Sequence, residues 1–261
     1  MDKATFGGVL LAVGGILLGL LLEGGNLGQV VQPTAAMIVF GGTLGAILIQ
    51  YPLPVVIIAF RRLAHIFLEP GDNARATVEM LVKYANQARR EGIISLDKEL
   101  PNIDEAFLRR ALTLAVDGTE PQELRKIMEL ELDNQAEQEE KIPQLFESAG
   151  GFSPTIGIIG AVLGLIQVMQ HLDKIDEVGR GIAVAFVATI YGVGAANLFF
   201  LPSAGKLKIR IRDEQVIREM TLEGVISILE GMNPRMLESK LLGFLTQEHE
   251  TTEPPPEASK A

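Results

Sequence analysis

The sequence predicts an all-α polytopic membrane protein with four transmembrane helices and a helical cytoplasmic domain. Two observations carry that class. First, charge is segregated. No charged side chain lies within residues 24–60, between Glu147 and His171, or between Arg180 and Lys206. A bilayer accepts such long apolar runs better than water does. Second, nearly all the charge falls in 61–150 and after Pro202, where apolar residues recur at helical spacing. The average over 261 residues, 48% of them hydrophobic, hides this division. The absence of cysteine excludes a disulfide framework and a thiolate metal site. His65, His171 and His249 lie far apart in sequence and show no metal-ligand spacing. A net charge of −10 argues against nucleic-acid binding and leaves room for a basic protein partner.

The elements follow in order. Residues 4–22 are uncharged and long enough to span. A signal peptide is the rival reading, but the start is barely basic and no clean small-x-small cleavage site follows. A short Gly-rich loop, Glu23–Pro33, leads to a second span over about 34–49. Gln50, Tyr51 and Pro52 mark its exit, Val55–Phe60 continue it towards the interface, and Arg61 and Arg62 end the membrane region. Asp72 and Asn73 can cap an amphipathic helix over about 74–90, which Gly92 stops. A second amphipathic helix covers about 104–116, with Phe107, Leu108, Leu112 and Leu114 among its apolar positions. A third starts near Pro121 and runs to about Glu140, and Pro143 is expected to kink or end it. The third span is expected over about 153–172 and the fourth over about 181–201, joined by a short polar connection, Asp173–Arg180. Pro202 closes the fourth. Residues 204–230 read as an amphipathic helix, 234–247 as another, and the Pro-rich tail from 248 as disordered. The segments are thus 1–60 (spans one and two), 61–150 (cytoplasmic helical domain), 151–203 (spans three and four), 204–247 (cytoplasmic amphipathic helices) and 248–261 (tail).

Positive charge sets the orientation. Of the 23 Lys and Arg, twelve lie in 61–150 and eight follow Pro202, while the 24–33 loop has none. Cationic residues near span ends stay on the cytoplasmic side. The long loop and both termini are therefore expected in the cytoplasm of a multi-pass protein in the bacterial inner membrane.

Small residues recur four apart at Gly15 and Gly19, Gly41 and Gly45, Gly160 and Gly164, and Ala188 and Gly192. Such pairs let helices approach closely in lipid. They fit packing within one chain, and they fit several copies packing round a common centre. An ion carrier needs an ionisable group in the membrane, and no span here has one. Any carboxylate must come from another polypeptide. The polar groups left are Ser153, Thr155, Thr189, Tyr191 and Asn197. A hydroxyl in a span most often bonds back to its own helix; lining a wet path is the minority role. Pro154 and Pro202 fall at corresponding ends of spans three and four. Proline suits a first turn or a terminus on positional grounds alone, and a hinge pair that transmits motion is the functional reading.

Ser153-Pro154-x-x-Gly157, Thr189-Ile190-Tyr191-Gly192, Ala196–Pro202 (ANLFFLP), Ala88–Gly92 (ARREG) and Ser95-Leu96-Asp97 together resemble the stator subunits of the bacterial flagellar motor, the MotA/PomA family. The resemblance covers most of the chain. It implies a homo-oligomer, a pentamer in the family, round a dimer of a single-span, peptidoglycan-binding MotB/PomB-type partner that brings the essential aspartate. It implies that ion flow is converted to torque on the rotor switch protein FliG. Pro154 and Pro202 match the family's two coupling prolines. Arg89 and Asp97 match loop charges that face the rotor, with Arg90 as helper and Glu99 as a nearby acid. Without the resemblance such charges read as a solvated helix end, worth little energetically.

Thr189 matches a threonine near the partner's aspartate, and Thr155 belongs to the same ion path. Sodium-driven members share a second threonine where this chain has Ala161. Sodium needs several oxygen ligands, whereas a proton needs only the carboxylate, so a transported proton is expected rather than sodium, with no cofactor. No nucleophile–base pair, phosphate loop or metal spacing suggests an enzyme. The alternative is an ExbB/TolQ-type proton-driven energiser of outer-membrane processes. Those proteins resemble a three-span pattern, which the hairpin over 1–60 and the RREG–IISLD loop disfavour.

Overall fold

A computed structural model describes residues 3–65 and 73–250, all ten α-helices and their short connections, with no strand among them. Four helical stretches are long and apolar enough to cross a membrane: Lys3–Leu22, Leu27–Gln50, and parts of Pro121–Gln170 and Ile175–Leu229. The described residues form two compact units, one drawn from 1–69 and 138–210, the other from 70–137 and 211–261.

In the first unit, α1 (Lys3–Leu22) buries none of its residues within the chain. A 3₁₀ turn, Leu27–Val30, is capped by Asn26, whose side chain accepts from the Gly28 amide. The second span is one helix in three parts. It begins as α2 (Pro33–Ala36), widens into a π turn at Met37–Gly41 and continues as α3 (Gly42–Gln50). Pro33 stands at the first helical position, where its missing N–H costs nothing. Tyr51 is extended, and α4 (Leu53–His65) starts afresh after Pro52. The stretch Val55–Phe60 therefore does not continue the second span. The residue before a proline is pushed out of helical geometry, and that breaks the helix. The helix α4 itself runs through Arg61 and Arg62.

The largest departure from the sequence expectations lies in the long helices. α7 runs unbroken from Pro121 to Gln170, with Pro143 and Pro154 inside it. Pro143 neither ends it nor separates a loop helix from the third span. An internal proline forfeits one hydrogen bond and costs about 3 kcal/mol. Packing offsets this: Ile142, Leu145, Phe146 and Ala149 are buried, and Phe146 meets Phe60 of α4 edge-on at 6.0 Å. The polar connection shrinks to residues 171–174, because α8 (Ile175–Ala195) begins earlier than its apolar run. Asp176 and Glu177 occupy its first turn, where carboxylates favour the helix dipole. Pro202 does not close the fourth span. A π turn at Ala196–Phe200 links α8 to α9 (Leu201–Leu229), and Pro202 lies in the first turn of α9.

The second unit is built from α5 (Asn73–Glu91), α6 (Ala106–Val116), the first part of α7, the later part of α9 and α10 (Pro234–Glu250). Asp72, expected to cap α5, lies outside the described residues, as does the tail beyond Glu250. Glu105 caps α6, its carboxylate accepting from the amides of Phe107 (3.1 Å) and Leu108 (2.5 Å). Leu81, Leu96, Phe107, Leu112, Leu124, Met128, Met220, Leu237 and Leu241 form one buried core. Gly224 permits the approach of α9 to α5, since a Cβ there would lie 2.7 Å from Leu81 Cδ1. Above this core Glu223 accepts from Arg125 at 2.8 Å and also from Lys240, tying α7, α9 and α10. Lys240 also reaches Ser227 Oγ at 3.2 Å.

Burial alone would raise the Glu223 carboxyl, but the hydrogen bonds from Lys240 and Arg125 outweigh it and hold the group below the usual glutamate value. A depressed folded-state pKa stabilises the fold above the unfolded value and loses that contribution as pH falls through the folded one. We expect Glu223→Gln to weaken α10 docking by about 1–2 kcal/mol at neutral pH, read as faster amide exchange in α10. Below the unfolded glutamate value, near pH 4.5, the difference between variant and parent should shrink. An α10 exchange difference that does not change with pH contradicts this role for Glu223.

Candidate ion-pathway and coupling site

The site grows from one helix crossing. On α7 stand Ser153, Gly157, Gly160 and Gly164; on α8 stand Gly181, Ala185, Ala188 and Gly192. They meet backbone to backbone. A Cβ added at Gly192 would lie 2.6 Å from the Ser153 carbonyl and 3.2 Å from Pro154 Cα. At Gly157 it would meet the Ala188 carbonyl at 2.8 Å, and at Gly164 the Gly181 carbonyl at 2.8 Å. At these three glycines the nearest atoms are backbone, which cannot swing aside as a side chain can. Small residues at this spacing are what close packing in lipid requires. The same accounting separates the glycine pairs. Gly160, Gly164, Ala188 and Gly192 pack within the chain, whereas a Cβ at Gly15, Gly19, Gly41 or Gly45 would meet nothing within 4 Å.

One buried polar contact locks the crossing. Ser153 Oγ donates to the Gly192 carbonyl at 3.0 Å. That carbonyl also accepts from the Ala196 amide at the start of the π turn. The second span joins through its own π turn. Ile38 reaches Gly160, Val39 packs beside Ala188, and Gly42 lies against Ile156. Thr43 Oγ1 donates to the Val39 carbonyl at 2.6 Å, which satisfies an acceptor where the helix is widened. Tyr191 closes the cluster. Its hydroxyl donates to the Val30 carbonyl at 2.5 Å and accepts from the Gln32 amide at 3.2 Å.

Pro154 is half-buried on this crossing. Having no N–H, it leaves the Gly150 carbonyl without its usual helical donor. Gly150 in turn lies against Leu201, with a Cβ position 2.6 Å from Leu201 Cδ2. Leu201 immediately precedes Pro202, so this contact links the two proline turns. At Pro202 the π turn supplies room for the ring: the Leu201 amide reaches back five residues to the Ala196 carbonyl. Pro202 itself is exposed.

Thr189 is half-buried and its hydroxyl bonds back to the Ala185 carbonyl at 3.2 Å. Ala161, also half-buried, is adjacent to Gly160. Gly160 and Ala188 touch, so Ala161 and Thr189 both flank that contact. Thr155 is exposed and bonds to the Phe152 carbonyl at 2.8 Å, and Asn197 bonds to Val193 O at 3.0 Å. These hydroxyl and amide groups serve their own helices in this chain. The rest of the polar cluster, Ser153 and Tyr191 bridging between elements, has no role that the sequence alone reveals; both bonds depend on residues remote in sequence.

The loop charges lie in the other unit. Gly92, with φ of +83°, turns the chain out of α5 into a 3₁₀ segment, Ile93–Lys98. Ser95 Oγ donates to the Gly92 carbonyl at 2.7 Å, and Gln87 reaches the Ser95 carbonyl at 3.2 Å. Leu96 is fully buried and its neighbour Asp97 is thrown outward. Arg89 and Arg90 are exposed in the last turn of α5. None of these three makes an ion pair among the described residues. Glu99 is different: it is half-buried and paired with Lys83 at 3.6 Å. Burial and the nearby Glu99 carboxylate push the Tyr84 phenol up.

The chain thus has four apolar spans, a backbone-tight pairing of the third and fourth, and an exposed charged loop. The family model of the MotA/TolQ/ExbB proton channel family matches residues 99–220, and that of the motility protein A N-terminal region matches 6–92. Motility protein A of Bacillus subtilis is 35% identical over 94% of this chain and 91% of its own length. Motility protein A of Helicobacter pylori is 34% identical over 94% and 95%. The structure of C. jejuni MotAB matches with a TM-score of 0.87 and 31% identity over 100% of both chains. That of the flagellar MotAB stator complex from Bacillus subtilis matches with 0.84 and 34%, over 97% of this chain and 100% of that one. The chain belongs to the motility protein A family: it is a stator subunit of the bacterial flagellar motor and a multi-pass inner-membrane protein. The transport-energiser alternative is not favoured.

The crossing makes its own prediction. Gly192→Ala should cost about 1–3 kcal/mol through overpacking and lower the melting temperature of the detergent-solubilised protein. Gly194→Ala, with nothing within 4 Å, should leave it unchanged. Equal melting of the two variants contradicts a backbone-tight contact at Gly192.

Proposed function

We propose that this subunit works with a MotB-type single-span partner to form a channel that couples proton flow to torque. The solved structures it resembles are MotAB complexes. Several copies, five by family pattern, surround the partner, whose aspartate supplies the ionisable group that these spans lack. Both termini and the long loop face the cytoplasm, in keeping with Arg61, Arg62 and the basic run Lys206–Arg212. The chain acts without enzymatic chemistry and without a cofactor.

The observation that supports this reading best is Pro154 seated on Gly192, where the nearest atoms across the crossing are all backbone. A shift of α8 in response to a protonated partner carboxylate must then move α7 at the proline. Pro154 and Pro202 are the coupling positions, joined through Gly150 and Leu201. Thr189 and Ala161 border the ion path, with Thr155 on the same helix as Ala161. The hydroxyl that a sodium site would want is missing at Ala161. Arg89, Arg90 and Asp97 meet the charged surface of the rotor protein FliG. Charge complementarity suits contacts that engage and release repeatedly. Glu99 is held by Lys83, so it supports the loop and meets the rotor less directly.

Two outcomes test the proposal. Pro154→Ala restores the Gly150 hydrogen bond and should leave membrane level and assembly with the partner intact while lowering stall torque several-fold. Full torque at high load refutes the coupling role. Swimming of a host strain that depends on this stator should persist without external sodium and stop with an uncoupler. Strict sodium dependence at constant proton-motive force rejects the proton.

A further inference from the structure

We propose that Tyr51 and Ser148 are positioning residues for torque coupling: their hydroxyls clamp α7 just before Pro154, so that movement is confined to the proline turn. This rests on the coupling role proposed above for Pro154. Tyr51 Oη and Ser148 Oγ share a hydrogen bond at 3.0 Å. The Gln50 side-chain amide donates to Ser148 Oγ at 3.2 Å and reaches Tyr51 Oη at 3.4 Å. Tyr51 and Ser148 are both half-buried. The break at Pro52 makes the contact possible. A residue before a proline is pushed into extended geometry, and Tyr51 has φ of −120° and ψ of 141°. Its amide still closes α3 on the Ile47 carbonyl, while its hydroxyl reaches α7.

Two more contacts hold the same stretch of α7. Phe60 meets Phe146 edge-on, and Arg62 pairs with Glu139 at 3.1 Å. Ser148 stands about 9 Å along the helix from Pro154. It lies two residues before Gly150, whose carbonyl the proline leaves without its helical donor. Beyond Pro154 the second span touches α7 differently. Ile38 lies against Gly160 and Gly42 against Ile156, through apolar side chains that cannot hydrogen-bond. Dispersion contacts of that kind let one helix slide on another, whereas a hydrogen bond weakens steeply as its angle changes. On the N-terminal side of its missing bond α7 is thus held in register by the α3–α4 corner. On the C-terminal side it is packed backbone to backbone on α8. A hinge requires that division into a fixed side and a side that moves with its partner. Tyrosine also gathers at membrane interfaces as a simple anchor, with its ring in lipid and its hydroxyl in water. Here the hydroxyl is taken up by Ser148 on another helix, which an anchor does not need.

The test uses the complex purified with its partner, and motility of a host strain that depends on this stator. Tyr51→Phe and Ser148→Ala each remove one hydroxyl and keep the bulk of the site. Each should speed amide exchange over α7 residues 144–150 about three-fold and leave residues 158–166 unchanged. Stall torque should fall while membrane level and assembly with the partner stay normal. The double variant should match the single ones, because each already breaks the shared bond. Ser148→Thr, which keeps a hydroxyl, should behave like the parent. Unchanged exchange over 144–150, or equal acceleration on both sides of Pro154, overturns the clamp whether or not Pro154 couples ion flow. Faster exchange with full stall torque makes the contact structural only and overturns its positioning role. Full torque in Pro154→Ala is a separate failure, that of the coupling reading. Where Pro154→Ala has lowered torque, adding Tyr51→Phe should lower it no further; an additive loss overturns the link between clamp and proline.

Discussion

The structure of the membrane unit depends on backbone contact between α7 and α8. In water two helices can be held together by burying oily side chains. In lipid that gain is absent, and association rests on close packing and polar contacts. Gly157, Gly160 and Gly164 against Gly181, Ala185, Ala188 and Gly192 meet the packing requirement. The Ser153 hydroxyl on the Gly192 carbonyl meets the polar one. Neither contact would survive a larger residue at the centre. The Ser153 bond and the Gly157 and Gly192 contacts stand within about a turn of Pro154, so close backbone packing coincides with the place where α7 has lost a backbone hydrogen bond.

That coincidence explains why two prolines, two π turns and an uncharged interior go together. A helix kept regular by all its hydrogen bonds resists local bending. Proline removes one bond, and a π turn redistributes several. Here the π turn at Ala196–Phe200 begins at the amide that shares the Gly192 carbonyl with Ser153. The π turn at Met37–Gly41 lies against the same crossing through Ile38 and Val39. The irregular backbone of three spans is therefore gathered round one contact. Beyond it, towards the basic end of the spans, Glu147 and Lys208 pair at 2.7 Å and Arg62 pairs with Glu139 at 3.1 Å. These pairs are partly exposed and contribute little stability alone. Their place between elements makes them guides for helix alignment rather than anchors.

Much of this was legible in the sequence, for physical reasons that can be named. The lack of charge in the spans and the helical spacing of apolar residues predict four spans and a helical soluble part. Both are local properties, and the structure has them. Gly160 with Gly164 and Ala188 with Gly192 announced close packing, but spacing alone cannot say which glycines find a partner. Gly41 and Gly45 have the same spacing and face open space in the chain. The expectations at Pro143 and Pro202 failed because propensity is a local cost. The burial of Ile142, Leu145 and Phe146 is set by the fold as a whole, and it carried the helix through Pro143. Likewise the break at Pro52 fell inside an apolar run, where hydropathy was blind to backbone geometry. Ser153 and Tyr191 stood out only as polar groups in apolar surroundings; their partners, Gly192, Val30 and Gln32, lie on other elements.

The charged loop shows the same division between local signal and tertiary placement. Arg89, Arg90, Asp97 and Glu99 form one cluster in sequence, and nothing in their spacing ranks them. The fold does. Leu96 is the pin: buried completely, it fixes the 3₁₀ segment against the core and forces Asp97 outward. Gly92, at a positive φ that other residues rarely adopt, aims that segment away from the end of α5. Arg89, Arg90 and Asp97 are left exposed and without an ion pair among the described residues, whereas Glu99 folds back onto Lys83. A surface that must grip and release a moving partner needs charges that are positioned but not already satisfied. For the rotor contact proposed above, that criterion favours the two arginines and Asp97, which make no ion pair among the described residues, over Glu99, which is held by Lys83.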